Sequence, residues 1–325
     1  MGSRYLVRKV VGACLTIFMI VILNFVLFRM MPGSPDRILL RNPNVTADAM
    51  TAARVRWGLD KPLIPDQLVD YLEATASGDL GFSFKFHGEA VTDVLAGRIW
   101  PTVILFGVGE VLAIIFGLAL GAYSGWRRGG PVDYIGNGLS LILYSMPYFV
   151  IGILILGIFA IGLHWFPTSG MLTIGGGGDT SFPGQLLDFL GHLALPVTTV
   201  AIGLIGQYSI LMRSSVIETL GEDYVTTARG KGLTSGRILR SHALPNALLP
   251  AVTLIAINLG YVIGGAITVE VVFNCPGLGT LTVTALEARD YPVLQGIFLL
   301  LSISVVLANL VADLIYGRLD PRVRS

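Results

Sequence analysis

The chain is 325 residues long, 53% hydrophobic and only 13% charged, with a net charge of +1. Ordinary soluble domains carry roughly a quarter charged residues, so that class is excluded, while a balance this near zero argues nothing about nucleic acid. A mean hydropathy of +0.73 makes a lipid bilayer the expected solvent.

In chain order, the apolar residues gather in six runs: Val10–Phe28, Thr102–Tyr123, Leu139–Leu163, Leu193–Met212, Leu248–Phe273 and Val293–Tyr316. Each approaches or exceeds the roughly 20 residues a helix needs to cross a hydrocarbon core of about 30 Å. Lipid supplies no water to satisfy the backbone, so the runs are expected to be helices. The fold class that follows is an all-α membrane protein with six transmembrane helices. Arg4, Arg8 and Lys9 before the first run fit either a cleaved leader or a retained span. Phe28-Arg29-Met30-Met31-Pro32 offers no small-residue cleavage site, which favours the span.

After the first span comes a long segment that reads as folded. Thr46 is placed to cap a helix running to Trp57 with Gly58 as its stop, Pro62 and Pro65 bracket a turn, and Asp66–Ala76 forms a second helix closed by Gly78. Phe82, Phe84 and Phe86 alternate as in a short strand. The segment is either a structured cap or a vestibule that meets a substrate-delivering partner. The chain thus divides into residues 1–31 (tail and first span), a structured loop over 32–100, and a five-helix core over 101–325. Within the core, Gly117 and Gly121 permit a close helix neighbour, as do Gly260, Gly264 and Gly265, while Gly175 to Gly178 read as a flexible link. Cys14 and Cys275 fall near opposite ends of their spans, too far apart for a disulfide, and are expected to be packing residues.

Lys and Arg set the orientation. With the N-terminus inside, the inner segments hold Arg4, Arg8, Lys9, Arg127, Arg128, Arg213, Arg229, Lys231, Arg237, Arg240, Arg318, Arg322 and Arg324, against Arg289 alone in the two short outer loops. Both termini are then cytoplasmic, and so is the polar segment from Arg213 to Ala247. That segment is far longer than a turn needs. Glu222 and Asp223 suit a helix start, and Tyr224, Val225 and Ala228, with Thr227 beside them, are expected to share one helix face. Gly232 ends the helix, and Thr234 or Ser235 caps a second one carrying Ile238 and Leu239. Such an elbow is either an amphipathic hairpin on anionic headgroups or a docking surface for a soluble protein; its projecting turn favours the cleft of a protein.

Several chemistries are missing from the sequence. A phosphate-cradling G-x-x-x-x-G-K-[ST] loop is approached only at Gly230-Lys231, where Val225 replaces the first Gly and Gly232 the Ser or Thr, so the chain is not itself an ATPase. No G-x-S-x-G occurs, and His87, His164, His192 and His242 form no helical pair, so neither a catalytic site nor a metal site is expected. His242 reads as a packing or hydrogen-bonding residue rather than a base. Glu110 lies deep in the second span, a place where an ionisable residue is costly; it serves either an ion relay or hydrogen bonding between helices. Glu270 and Asp313, near span ends, are placed to reach interface water. Glu110, Gln207 and Asn258 are the polar candidates for a substrate pathway.

The elbow resembles the coupling loop of ABC importer permeases, in the form found in oligopeptide and dipeptide permeases: Tyr224-Val225-x-Thr227-Ala228-Arg229-x-Lys231-Gly232-Leu233, then His242-Ala243-Leu244-Pro245-Asn246. The general motif opens with Glu where Thr226 stands here. Further motifs extend the likeness along the chain, among them Tyr5-Leu6-x-Arg8, Gly58-Leu59-Asp60-Lys61-Pro62, Gly78-Asp79-Leu80-Gly81-x-Ser83, Glu270-x-x-Phe273-x-x-Pro276-Gly277-Leu278-Gly279 and Leu319-Asp320-Pro321-Arg322. The resemblance implies a MetI-like fold and the B-type subunit of a permease pair. It further implies a paralogous permease partner, two ABC ATPase subunits that bind ATP and Mg, and an extracytoplasmic substrate-binding protein that delivers peptides. Nickel, glutathione and haem are the alternative cargoes of similar permeases, and an ion-coupled carrier resting on Glu110 is the rival class. This chain would hold no cofactor of its own. Tyr224, Val225, Thr227, Ala228, Arg229, Lys231, Gly232 and Leu233 would couple it to the ATPases.

Overall fold

A computed structural model describes residues 3–30, 61–86, 88–173, 181–262 and 267–319. The expected helix Thr46–Trp57 with its stop at Gly58, the glycines 175–178, 264 and 265, His87, and the C-terminal motif beyond Leu319 lie outside them. Four helices among the described residues are long and apolar enough to cross a membrane, or up to six if each of two bent pairs is one span. The described residues of the six expected runs therefore lie mostly in helices, though not always in single ones.

Helix α1 (Ser3–Met30) holds the first run, with Arg29 in its last turn where a cation suits the helix dipole. Helix α2 (Leu68–Ser77) ends as expected on Gly78, whose φ of +80° makes a left-handed cap. Of the Phe82-x-Phe84-x-Phe86 strand only a bridge between Phe82 and Ala90 forms, because residues 84–86 turn. Helix α3 (Val91–Trp126) starts well before the expected Thr102, with Pro101 inside it. One lost backbone bond is tolerated in a helix of this length, where neighbours can satisfy the freed carbonyl.

The third run is broken. Helices α4 (Pro131–Ser145) and α5 (Tyr148–Ile155, prolonged by a wider turn over Leu156–Gly162) meet at 102°. Pro147 is the cause: a residue before proline is barred from the helical region, and Met146 accordingly sits at φ −85°, ψ 128°. Helix α6 (Phe182–Leu220) has 39 residues and is started by Ser181, whose hydroxyl accepts from the Gly184 N–H. At about 1.5 Å per residue it is nearly twice the length of a hydrocarbon core, so its ends must project beyond the apolar layer. The polar elbow follows: α7 (Asp223–Gly230), α8 (Ser235–Ile238), a wide turn over Leu239–Ala243, and α9 (Leu244–Ala247). Helices α10 (Leu249–Tyr261) and α11 (Ile267–Val272) cover the fifth run, and α13 (Tyr291–Leu319) the sixth. Between them stands α12 (Leu278–Ala288), a helix where a loop was expected.

The described residues form two compact units. The first joins Met1–Ile99 with Leu281–Leu310. Inside it Asp290 is fully buried and accepts from the Ser83 hydroxyl at 2.5 Å and the Lys85 N–H at 3.0 Å, fixing the turn after Phe82. Phe25 stacks on Tyr71 with ring centroids 5.4 Å apart, and Asn24 donates to the Gln295 carbonyl. Cys14 is exposed on α1, so the packing role expected of it does not hold; Cys275, in the second unit, is buried.

The second unit, Trp100–Thr280 with Val311–Ser325, is organised by a seam between α3 and α6. Along α3 the residues 109, 113, 117, 121 and 125 are Gly, Ala, Gly, Gly and Gly. A Cβ on Gly109 would fall 2.7 Å from Val200 Cγ1, on Gly117 2.6 Å from Tyr208 Cβ, and on Gly125 2.8 Å from the Arg213 carbonyl. The two backbones touch over more than four turns. Phe106, Val197, Val200, Ile151 and Phe273 fill the apolar core beside the seam. A side chain has no room there. Gly121→Leu, whose Cβ would meet Ser209 and Met212, is expected to cost about 1–3 kcal/mol or more. Gly107→Leu, on the open side of the same helix, should be near neutral. Thermal unfolding of the two variants in detergent checks this, and equal midpoints would refute the seam.

Candidate functional site: the elbow and the polar chain behind it

The elbow is a small folded unit. Helix α7 buries Val225 (0% exposed) and Ala228 (4%) against Ile238 of α8, with Leu220 and Leu233 closing the cluster. Tyr224, one turn before Ala228, borders the buried pair on the same side of the helix yet is 39% exposed, and Thr227 is exposed as well, so the expected face is divided between core and surface. At 3.6 residues per turn 225 and 228 fall together, and the apolar pair turns inward to meet Ile238.

Gly232 stops α7 as expected. With φ at +76°, its N–H bonds the Arg229 carbonyl at 2.9 Å and the Leu233 N–H bonds the Ala228 carbonyl at 3.3 Å. That is the paired-bond helix stop with its usual apolar contact, here supplied by Leu233. Thr234 occupies the N-cap of α8, without a side-chain bond to it. Arg229, Lys231, Arg237 and Arg240 all stand exposed around this block.

Two ties hold the elbow to the helices behind it. The Asn246 amide donates to the Tyr224 hydroxyl at 2.9 Å and to the His242 carbonyl at 3.0 Å, so α7 is fastened to α9 at the foot of α10. The His242 ring is half-buried and its Nδ1 is buried without a partner. At the foot of α6, Arg213 grips Asp133 with Nε at 2.6 Å and Nη2 at 3.0 Å, and the same carboxylate accepts from the Ser124 hydroxyl and the Gly129 N–H. Such a bidentate pair fixes direction as well as distance. The Arg213 guanidinium holds two helices and a turn in one register.

Deeper in the unit, Glu110 on α3 is buried and accepts the hydroxyl proton of Tyr208 on α6. Tyr208 in turn accepts from the Asn258 amide on α10 at 3.0 Å. Glu110 and Asn258 are thus brought together through a tyrosine that sequence reasoning did not single out. Its position in the glycine seam was the available signal. Gln207, next to it in the sequence, is half-buried.

Glu270 was expected to reach interface water, and instead is fully buried. It accepts from the Thr102 hydroxyl at 2.6 Å and from the Gly279 and Thr280 N–H groups at 2.8 and 3.1 Å, while the Leu278 N–H bonds the same Thr102 oxygen. Those N–H groups open α12, so Glu270 caps that helix from nine residues back. Gly277 and Gly279 are required because a Cβ at either would strike its carboxylate. The whole Glu270-to-Gly279 motif is one structural device.

The family described as "binding-protein-dependent transport system inner membrane component" matches residues 113–325, and its N-terminal companion matches residues 2–105. The chain belongs to this family. A Brucella suis biovar 1 protein named provisionally as a peptide permease is 40% identical over 99% of both chains. The glutathione transport system permease protein GsiC of Escherichia coli K12 is 35% identical, again over 99% of both. Among solved structures, a chain of the inward-facing MetNI methionine ABC transporter covers 70% of this one with a TM-score of 0.57 at 17% identity, which establishes the MetI-like fold. As a member of the family, the protein is a multi-pass permease subunit of an ABC importer and not an enzyme.

Two substitutions separate the elbow's core from its surface. Ala228→Glu places a charge among Val225, Ile238 and Leu233 and is expected to open the elbow, so that trypsin cuts at Arg229 and Lys231 many-fold faster; Thr227→Glu should leave the rate near wild type. Equal cleavage rates would show that no such core exists. Glu270→Ala takes the acceptor away from the Gly279 and Thr280 N–H groups, at about 1–3 kcal/mol for each buried group. A thermal midpoint unchanged from wild type would exclude the capping role.

Proposed function

We propose that this permease carries small peptides inward, as one half of a pair with a paralogous subunit. Two ABC ATPase subunits holding ATP and Mg would dock on the elbow from the cytoplasm, and a substrate-binding protein would deliver cargo from the other side. The full-length identity of 35–40% to permeases named for peptides and for glutathione, itself a tripeptide, is the observation that carries the substrate class. Nickel and haem have no such support. Both termini lie inside on this reading, because the Arg and Lys excess then falls on the cytoplasmic side.

The elbow supplies the means of coupling. Tyr224, Thr227, Arg229 and Lys231 present the contact surface, while Val225, Ala228, Gly232 and Leu233 keep the block rigid enough to act as a lever. ATP-driven closure of the ATPases would push the block, and the Tyr224–Asn246 bond would pass the push to α10. Gln207 and Asn258, both half-buried, are the pathway candidates, with Glu110 acting through Tyr208.

The test is uptake of labelled di- and tripeptides by proteoliposomes containing all subunits and the binding protein. Uptake should require ATP and collapse in Gly232→Leu, since a side chain at φ +76° costs about 1–2 kcal/mol and unseats the helix stop. Nucleotide-independent uptake would refute the importer reading. Wild-type uptake by an assembled Gly232→Leu complex would refute the lever.

A further inference from the structure

Tyr208 holds its two partners on unequal terms. On one side it is trapped. Its backbone lies in the seam with α3, where a Cβ on Gly117 would come within 2.6 Å of Tyr208 Cβ. The next turn of α6 is equally tight against α4, with Ser209 hydrogen-bonded to Ser140 at 2.8 Å and a Cβ on Gly206 only 2.8 Å from the Tyr144 nitrogen. Separating α6 from α3 or α4 would open voids along several turns, and taking Tyr208 from Glu110 would strand a buried carboxyl.

On the other side a side-chain hydrogen bond joins Tyr208 to α10, and it can part cheaply. If Asn258 leaves, Tyr208 keeps Glu110 as its acceptor, and the half-buried Asn258 amide is not confined to a dry site. No buried polar group is orphaned. Helix α10 is also the one that continues from the elbow: Leu248 alone separates it from α9, whose Asn246 is tied to Tyr224, and the two helical stretches meet at 45°. The element that receives the elbow's motion is the element with the separable bond.

We propose that the Asn258–Tyr208 contact is a latch of the transport cycle: α10 makes it in the conformation described and releases it when the elbow moves, while Tyr208, held by Glu110, is the positioning residue that defines the latched state. This rests on the ABC-importer reading, in which the elbow is pushed by ATPases. One net hydrogen bond biases a two-state equilibrium about fivefold, so the latch resists nucleotide-driven switching by that factor.

The experiment compares ATP hydrolysis, without substrate or binding protein, by the purified complex in lipid nanodiscs. Asn258→Ala should raise this idle hydrolysis about fivefold; Tyr208→Phe removes the same bond and the Glu110 contact besides, so adding Asn258→Ala to it should raise the rate no further. Glu110→Leu, which takes away the acceptor that holds Tyr208, should behave like Tyr208→Phe. Unchanged idle hydrolysis in Asn258→Ala, or rises that multiply in the double variant, would overturn the latch. If Tyr208→Phe fails to assemble, Asn258→Ala decides alone, since that side chain is not core. A wild-type complex that takes up peptide without nucleotide sinks the importer reading itself, whereas ATP-driven uptake with idle hydrolysis indifferent to Asn258 sinks only the latch.

Discussion

The backbone contact between α3 and α6 is the constraint on which the second unit is built. In lipid no hydrophobic force drives helices together, so association must come from dispersion and hydrogen bonds at close range. Five small residues at intervals of four on α3 let the backbone of α6 approach to contact, and they continue as far as Arg213, where the apolar part of α6 gives way to its polar end. There the Arg213–Asp133 pair adds α4 and the turn before it to the same frame. Helix α6 is consequently a fixed spine, and the elbow that begins at Glu222 starts from a base that cannot drift.

How the elbow differs from a simple turn follows from the same bookkeeping of groups. A loop of its length would leave many backbone bonds to water. This one satisfies them internally through α7, the stop at Gly232 and α8, and covers the joint with Val225, Ala228, Ile238 and Leu233. The residues most recognisable as a family motif therefore serve two purposes. Val225, Ala228 and Gly232 make the block; Tyr224, Arg229 and Lys231 dress its surface.

Much of this was legible in the sequence because membrane physics leaves few options. Six apolar runs implied helices, Gly78 and Gly232 marked helix ends, and Gly117 with Gly121 marked a close seam. What escaped was tertiary in origin. Pro147 lies inside an unbroken apolar run, and hydrophobicity does not register the conformational bar on Met146 that splits it. Helix α12 was missed because its start depends on a carboxylate at Glu270, eight residues before Leu278 and already assigned to another span. The division of that face of α7 between core and surface was not legible because the partners that decide it, Ile238 and Asn246, lie across a turn. Tyr208 was passed over as one more aromatic in an apolar helix. Only its placement in the seam shows that it joins Glu110 to Asn258.

The buried acids also bear on how such a protein can be driven. A carboxyl group that relays ions must exchange its partners for water during each cycle. Here Glu270 is spent on the first turn of α12, Asp290 on the turn at Ser83 and Lys85, and Asp133 on Arg213. Glu110 is committed to Tyr208, whose surroundings are among the tightest in the unit. Each acid is held by donors fixed in a helix or turn, so releasing it would cost buried hydrogen bonds with nothing to replace them. None of these four acids can exchange its partners for water while the frame around it holds, so an ion relay through any of them would have to dismantle the packing that defines its unit.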